Sequence, residues 1–183
     1  MPSRWQNKGG EMMVKFRWYY DKDAEEAWLK KMSLKGWAFK KFWLGFYSFE
    51  ASEPGEYNYQ IDLLDNWSGD KKEFADFMEE AGVEVISQWY RWVYLRKKAV
   101  DGPFEMYTDR ASKIAQYKRI KHFFRLALIV EAICFFIELN AALRTGSTFF
   151  YGFTILIALI VLVFLRMIWK CQWRIEELQR EEN

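Results

Sequence analysis

AEEAWLKKMSLKG, Ala24 to Gly36, and DKKEFADFMEEAG, Asp70 to Gly82, are the two stretches whose reading decides the fold. Each begins acidic, carries apolar residues at helical spacing and stops at glycine. In the first, Asp23 with Glu26 three residues on has the form of a capping box, and Ala24, Trp28 and Met32 fall along one helix face. In the second, Asp70 and Glu73 repeat that start, while Phe74, Phe77, Met78 and Ala81 occupy i, i+3, i+4 and i+7. Gly36 and Gly82 end the helices, since glycine most readily takes the left-handed conformation that follows a last helical turn.

Strands flank both helices. Upstream of the first, Val14, Phe16, Trp18 and Tyr20 alternate with Lys15, Arg17 and Tyr19, the period of a half-buried strand. Downstream, Trp37 to Trp43 and Phe46 to Ala51 read as aromatic strands, and Glu53-Pro54-Gly55-Glu56 has the Pro-then-Gly order of a tight turn. Tyr57 to Leu64, Val83 to Trp89 and Arg91 to Lys97 read as strands around the second helix. From the helix onward the halves align without a gap at a spacing of 46, matching Trp28 with Phe74, Met32 with Met78, Gly36 with Gly82, Phe39 with Val85, Phe46 with Trp92 and Phe49 with Leu95. The pattern fits either an internal duplication or convergence on one supersecondary unit.

Beyond residue 98, AVDGPFEMYTD is a linker broken by Gly102-Pro103, and Asp109 caps a basic helical stalk over 110–122. Phe123 to Ala142 and Thr148 to Trp169 are each about as long as the roughly 20 residues needed to cross a bilayer. The fold class expected is therefore α+β: a doubled strand-helix-strand-strand unit over 13–98, an antiparallel sheet with two helices, followed by the stalk and a two-helix transmembrane hairpin. Basic residues cluster at the inner ends of the spans, with Arg110, Lys113, Lys118, Arg119, Lys121 and Arg125 on one side and Arg166, Lys170 and Arg174 on the other, whereas the loop holds only Arg144. By the positive-inside rule this predicts a multi-pass protein of the cell membrane with both termini cytoplasmic, including the charged tail 170–183.

The N-terminal MPSRWQNKGGE lacks the apolar core of a signal peptide, and Lys8-Gly9-Gly10-Glu11 before Met12-Met13 reads as a ribosome-binding site translated in frame, with residues 1–12 outside the fold. Cys134 and Cys171 have no metal-ligand spacing and are expected as free thiols. A net charge of +2 gives no nucleic-acid-sized basic excess. The single histidine, His122, sits in the stalk, and no common zinc, redox or phosphate-binding motif occurs. Neither an enzyme, nor a metal, nor a cofactor, nor a nucleic-acid partner is expected. Asp21, Asp23, Glu25 and Glu26 stand where a helix N-terminus favours negative charge, and capping with solvation is the reading adopted for them.

Aromatic residues carry the stronger signal, at 20% of the chain and concentrated in the strands. They fall on both faces, so some aromatic surface is left after a core is formed. One reading is an enlarged core or a homodimer face. The other is an aromatic pocket for a hydrophobic small molecule, with Trp18, Tyr20, Trp43, Tyr59, Trp89, Trp92 and Tyr94 as candidate ligand-binding residues and Lys15, Arg17, Gln60, Asp62 and Gln88 as candidate polar groups. A second candidate is the pair Glu131 and Glu138 in the first span. Seven residues apart, they share one helix face, and a carboxylate at mid-bilayer costs about 2.5–3.5 kcal/mol, so that face calls for protein or water rather than lipid.

The segments FRWYYD (16–21), EEAWLKKMSLKGWAF (25–39), SFEASEPGEYNYQIDLL (48–64), FMEEAGVEVI (77–86) and WVYLRKKA (92–99) resemble a bacterial family known as domain of unknown function 2812. The resemblance runs from Phe16 to about Ile120 and implies a C-terminal pair of spans and a setting in envelope or drug stress, with no catalytic residues to carry over. In plan the doubled unit is also similar to GyrI-like drug-binding domains, which hold hydrophobic ligands in an aromatic and acidic cleft. The function expected is a membrane-anchored cytoplasmic sensory or adaptor protein that binds a hydrophobic small molecule or a protein partner. The alternative is an accessory or regulatory membrane subunit that associates through its first span with a transporter or signalling protein. Membrane lipid, a homo-oligomer and a membrane-protein partner complete the expected partners.

Overall fold

The structure is a computed structural model that describes residues 11–64 and 71–180. The Lys8–Gly10 block and Asp70 lie outside the described residues. Two compact units divide the chain after Met106.

The first unit holds two three-stranded antiparallel sheets. β1 (Met12–Phe16), β2 (Trp37–Trp43) and β3 (Phe46–Ala51) form one in the order β1-β3-β2, with α1 (Lys22–Leu34) between β1 and β2. β4 (Tyr57–Leu63), β5 (Glu84–Trp89) and β6 (Trp92–Lys98) form the other in the order β4-β6-β5, with α2 (Lys71–Glu80) between β4 and β5. The halves repeat in detail as well as in topology. Each has a register shift at the same place, between Phe39 and Lys41 in β2 and between Val85 and Ser87 in β5. Each closes its β-hairpin through a residue of positive φ, Leu44 at 45° and Tyr90 at 55°. Each ties the strand before its helix to that hairpin, by Arg17 N–H to Gly45 O at 2.8 Å and Leu64 N–H to Arg91 O at 2.9 Å. Bulges re-aim side chains and are hard to acquire twice at one position by accident, so the doubling is a true structural repeat.

Local chemistry sets the elements, with departures from the sequence reading at α1, β1 and α2, where Phe77 is exposed. The cap of α1 is Asp21, not Asp23: its carboxylate accepts the Asp23 N–H at 3.1 Å. Strand β1 ends at Phe16, short of the alternation read through Tyr20, and over 13–20 the apolar parity is inverted. Val14, Phe16, Trp18 and Tyr20 are exposed, while Met13 and Tyr19 pack toward the core, because α1 covers the face to which odd-numbered residues point. The Pro54-Gly55 turn forms as read, with Gly55 at φ 77°.

Trp28, Leu29 and Met32 of α1, Phe39, Tyr47 and Phe49 of the first sheet, and Tyr59, Ile61 and Tyr94 of the second make one buried cluster. One face of the second sheet thus rests on the first repeat. The first repeat also covers that sheet's outer strand, since the Glu26 carboxylate accepts Ile61 N–H at 2.7 Å and Ser33 Oγ accepts Tyr57 N–H at 3.2 Å. Backbone groups of β2 are met in return: Phe39 N–H donates to Tyr59 OH at 2.9 Å and Phe42 N–H to Ser87 Oγ at 3.2 Å. The other face of the second sheet packs Val93 and Leu95 beneath Met78 of α2, with Phe104 and Met106 beside them.

The second unit is a pair of helices, α3 (Arg110–Thr145) and α4 (Thr148–Arg180). The Asp109 carboxylate caps α3 by accepting Ser112 N–H at 2.8 Å. Helix continues through Asn140–Thr145, which carry no breaker, and ends at Gly146 with φ 63°. The loop is therefore shorter than the stretch 143–147 left between the two expected spans. Both helices are long and apolar enough to cross a membrane. Cys134 and Cys171 are free thiols.

Candidate functional site

Glu25 is the residue around which the first unit's chemistry collects. It precedes Trp28, Leu29 and Met32 by three, four and seven residues, so helical periodicity alone sets it on the buried face of α1. Only 7% of it is exposed. Tyr47, from β3, donates its hydroxyl proton to Glu25 Oε1 at 2.5 Å, and Tyr94, from β6, donates to the same oxygen at 2.8 Å. One tyrosine comes from each sheet, and the carboxylate joins the two repeats at their common core.

Aromatic rings close the surroundings. Trp28 meets Tyr47 edge-on at 4.8 Å, and Phe39 lies 5.4 Å from Tyr94. Phe42 stands between the two tyrosines, 5.0 Å from Tyr47 and stacked on Tyr94 at 5.1 Å. Half-exposed Trp89 meets the Phe42 ring at 5.7 Å at the margin of this shell. Desolvation dominates the electrostatics: burial pushes the Glu25 carboxyl up to about 7, against the lowering effect of the two tyrosine bonds. Burial raises both tyrosine hydroxyls too, and the neighbouring carboxylate adds to the rise. The arrangement is a carboxyl group that holds or releases a proton near neutrality inside an aromatic shell. Aromatic ring faces and an ionised carboxylate both attract positive charge.

The sequence reading missed Glu25 by grouping it with helix-start acids. Of that group Asp21 caps the helix, while Glu25 and Glu26 are turned inward; burial also raises the Glu26 carboxyl. The missed signal was its spacing to Trp28, Leu29 and Met32. Among the aromatic candidates, Tyr94 touches the carboxylate, Tyr59 belongs to the same cluster, Trp92 packs against it and Trp89 stands at its margin. Trp18, Tyr20 and Trp43 lie apart as exposed side chains, and Trp43 stacks on Phe46 at 6.3 Å. Of the polar candidates, the Arg17 guanidinium sits 5.4 Å from the Trp28 ring, Gln60 bonds the Phe104 carbonyl, Gln88 bonds the Tyr90 carbonyl, Asp62 is buried in β4 and Lys15 is exposed.

A second charged feature is closed on itself. Arg96, from β6, makes paired bonds to Glu84 at 2.7 and 3.0 Å and lies 4.3 Å over the Tyr57 ring. It borders a groove of about 610 Å³ lined also by Glu79, Lys97, Lys98 and Asp101. With its guanidinium paired and stacked, Arg96 reads as a structural tie. In the second unit Glu131 and Glu138 are half-buried, on the stripe with Phe124, Phe135 and Ala142 that α4 shields. Phe124 meets Phe164 of α4 at 5.6 Å. Among the described residues, no group of three or more His, Cys, Asp or Glu side chains could hold a metal ion.

Fold and site together define a class: a two-repeat α+β domain with a buried acidic-aromatic centre, joined to an apolar helical hairpin. A family model described as "Protein of unknown function (DUF2812)" matches residues 21–129, and the chain belongs to that family. The match begins at the cap of α1, after β1, and runs through the other five strands into α3. No curated protein and no solved structure matches the chain.

Proposed function

We propose that this is a membrane-tethered, non-enzymatic sensory or adaptor protein whose first unit binds lipophilic cations at Glu25. The observation that carries this reading is the Glu25 carboxyl, held by Tyr47 and Tyr94 inside a shell of Trp28, Phe39 and Phe42. A neutral apolar ligand would gain nothing from a buried acid, and an anion would be repelled by it. A cation that enters past Trp89 and Phe42 replaces the proton as the partner of the carboxylate. The tethering part rests on two helices of 36 and 33 residues, which at about 1.5 Å rise per residue exceed a hydrocarbon core of about 30 Å. The basic ends of both helices favour a cytoplasmic location for the domain and both termini. Lipophilic cations partition into membranes, so a tethered receptor samples them where they accumulate, in keeping with a role in envelope or drug stress.

The test is a titration of the full chain, reconstituted in lipid nanodiscs, with tetraphenylphosphonium, read by tryptophan fluorescence. Saturable quenching by the cation, absent with neutral triphenylphosphine oxide and lost in Glu25→Gln, supports the reading. Equal responses to cation and neutral analogue refute it.

Glu131 and Glu138 support a second reading, an accessory subunit that associates through α3 with a membrane-protein partner or a second copy. Two acids in an apolar helix favour company in the bilayer. Glu131→Leu tests it: an unchanged oligomeric state and unchanged co-purifying partners dispose of the idea.

A further inference from the structure

The two sheets present equivalent faces that are treated differently. In the second sheet, the face bearing Tyr59, Ile61, Trp92 and Tyr94 lies against α1 and β2. In the first sheet, the corresponding face carries Val14, Phe16, Trp43 and Phe46, and all four are exposed. Register places them together: Phe16 and Trp43 are both opposite Phe46, and Val14 and Lys41 are both opposite Ser48. The rings of Phe16 and Phe46 are 5.0 Å apart, so they form one continuous apolar surface, which Met12 extends with 75% exposure. A strand whose apolar set faces outward while Lys15 and Arg17 take the opposite parity is patterned for an apolar partner on the outside.

The chemistry of the rim selects that partner. Lys41 projects from the face itself, and Lys40 flanks it in a pair with Glu50 at 3.1 Å. Tryptophan and phenylalanine beside exposed lysines suit the interface of a bilayer with anionic headgroups, where aromatic bodies enter the acyl boundary and ammonium groups stay at the phosphates. The same polypeptide carries the apolar hairpin. A tethered domain meets the bilayer at high effective concentration, so even a weak surface is occupied.

We propose that the outer face of the first sheet, centred on Val14, Phe16, Trp43 and Phe46, docks on the anionic membrane surface to which the hairpin tethers the chain. The proposal rests on the tethering reading and is independent of cation binding at Glu25. Docking gives the exposed aromatic face a fixed environment and holds the domain at the lipid boundary.

The experiment uses the full chain with Cys134→Ser and Cys171→Ser, carrying one environment-sensitive fluorophore at Val14→Cys, Leu159→Cys or Asp76→Cys. Each is reconstituted in phosphatidylcholine vesicles containing phosphatidylglycerol, with and without brominated acyl chains. Strong bromine quenching at positions 14 and 159, none at 76, and weaker quenching at 14 after Lys41→Glu are expected. Quenching at 159 but not at 14 overturns docking while leaving the tether intact. Absence of quenching at both overturns the tether and docking with it. A label at 14 that bromine does not reach, but that is shielded from aqueous iodide until the protein is diluted in lipid, means that a second copy covers the face, and this too overturns the proposal.

Discussion

The two repeats share topology, bulge position and hairpin geometry, yet they differ at the positions that build the acidic centre. Glu25, on the buried face of α1, corresponds to Lys71 of α2, and Tyr47 corresponds to Val93. The second repeat contributes Tyr94 where the first has Ser48. The acidic centre is therefore assembled across the repeats from positions that differ between them. The outer faces diverge in the same sense, since one is covered by the partner repeat and the other is left to solvent or membrane. A repeated fold thus supplies a scaffold, and the departures from repetition mark where the acidic centre is built.

That comparison breaks first at the shared core. Phe39 is fully buried among Tyr47, Phe49, Tyr59 and Tyr94, whereas its counterpart Val85 is half-buried. Phe39→Ala should cost about 3–5 kcal/mol, and Val85→Ala distinctly less. Chemical denaturation followed by near-ultraviolet circular dichroism measures both, and equal losses would contradict a core centred on the first repeat.

Tyr94→Phe removes one of two donors to a buried acid and should cost about 1–3 kcal/mol. A loss near zero at a pH of about 8 would mean that the bond contributes nothing to the ionised group. Glu25→Gln sharpens the same point through pH. Its carboxyl is raised from 4.5 to about 7 on folding, so between those values the folded protein binds a proton that the unfolded chain does not. The contribution is fully present below the unfolded value and is lost as pH rises through about 7. Glu26 is raised in the same direction. Glu25→Gln should therefore melt higher than wild type at a pH of about 8, by roughly 2 kcal/mol of stability, and show a flatter pH profile. Thermal melts across that range decide it, and an unchanged slope would remove the buried acid from the account. The smallest effect belongs to the cap: Asp21→Ala should cost about 1 kcal/mol without altering cation binding.

Much of this was legible in the chain. β2 and β3 are bounded by Gly36, Leu44-Gly45 and Pro54-Gly55, and their aromatic alternation left little freedom in placing them. The 46-residue spacing revealed the repeat, and the matching bulges extend it to backbone detail. Orientation was harder. A period of two says that β1 has an apolar face but not which face α1 will cover, so Val14, Phe16 and Trp18 read as half-buried. Glu25 escaped because adjacent acids at a helix start look the same whether they are solvated or one is turned inward. Its partners Tyr47 and Tyr94 lie 22 and 69 residues away, a distance over which sequence periodicity carries no information.

The most direct measurement is the proton balance of cation binding. Tetraphenylphosphonium would be titrated calorimetrically into the nanodisc-borne protein at a pH of about 6, in buffers of different ionisation enthalpy. Exchange of proton for cation at Glu25 predicts release of about one proton per cation by wild type and no detectable binding by Glu25→Gln. Cation binding without proton release, or undiminished binding by Glu25→Gln, would contradict it.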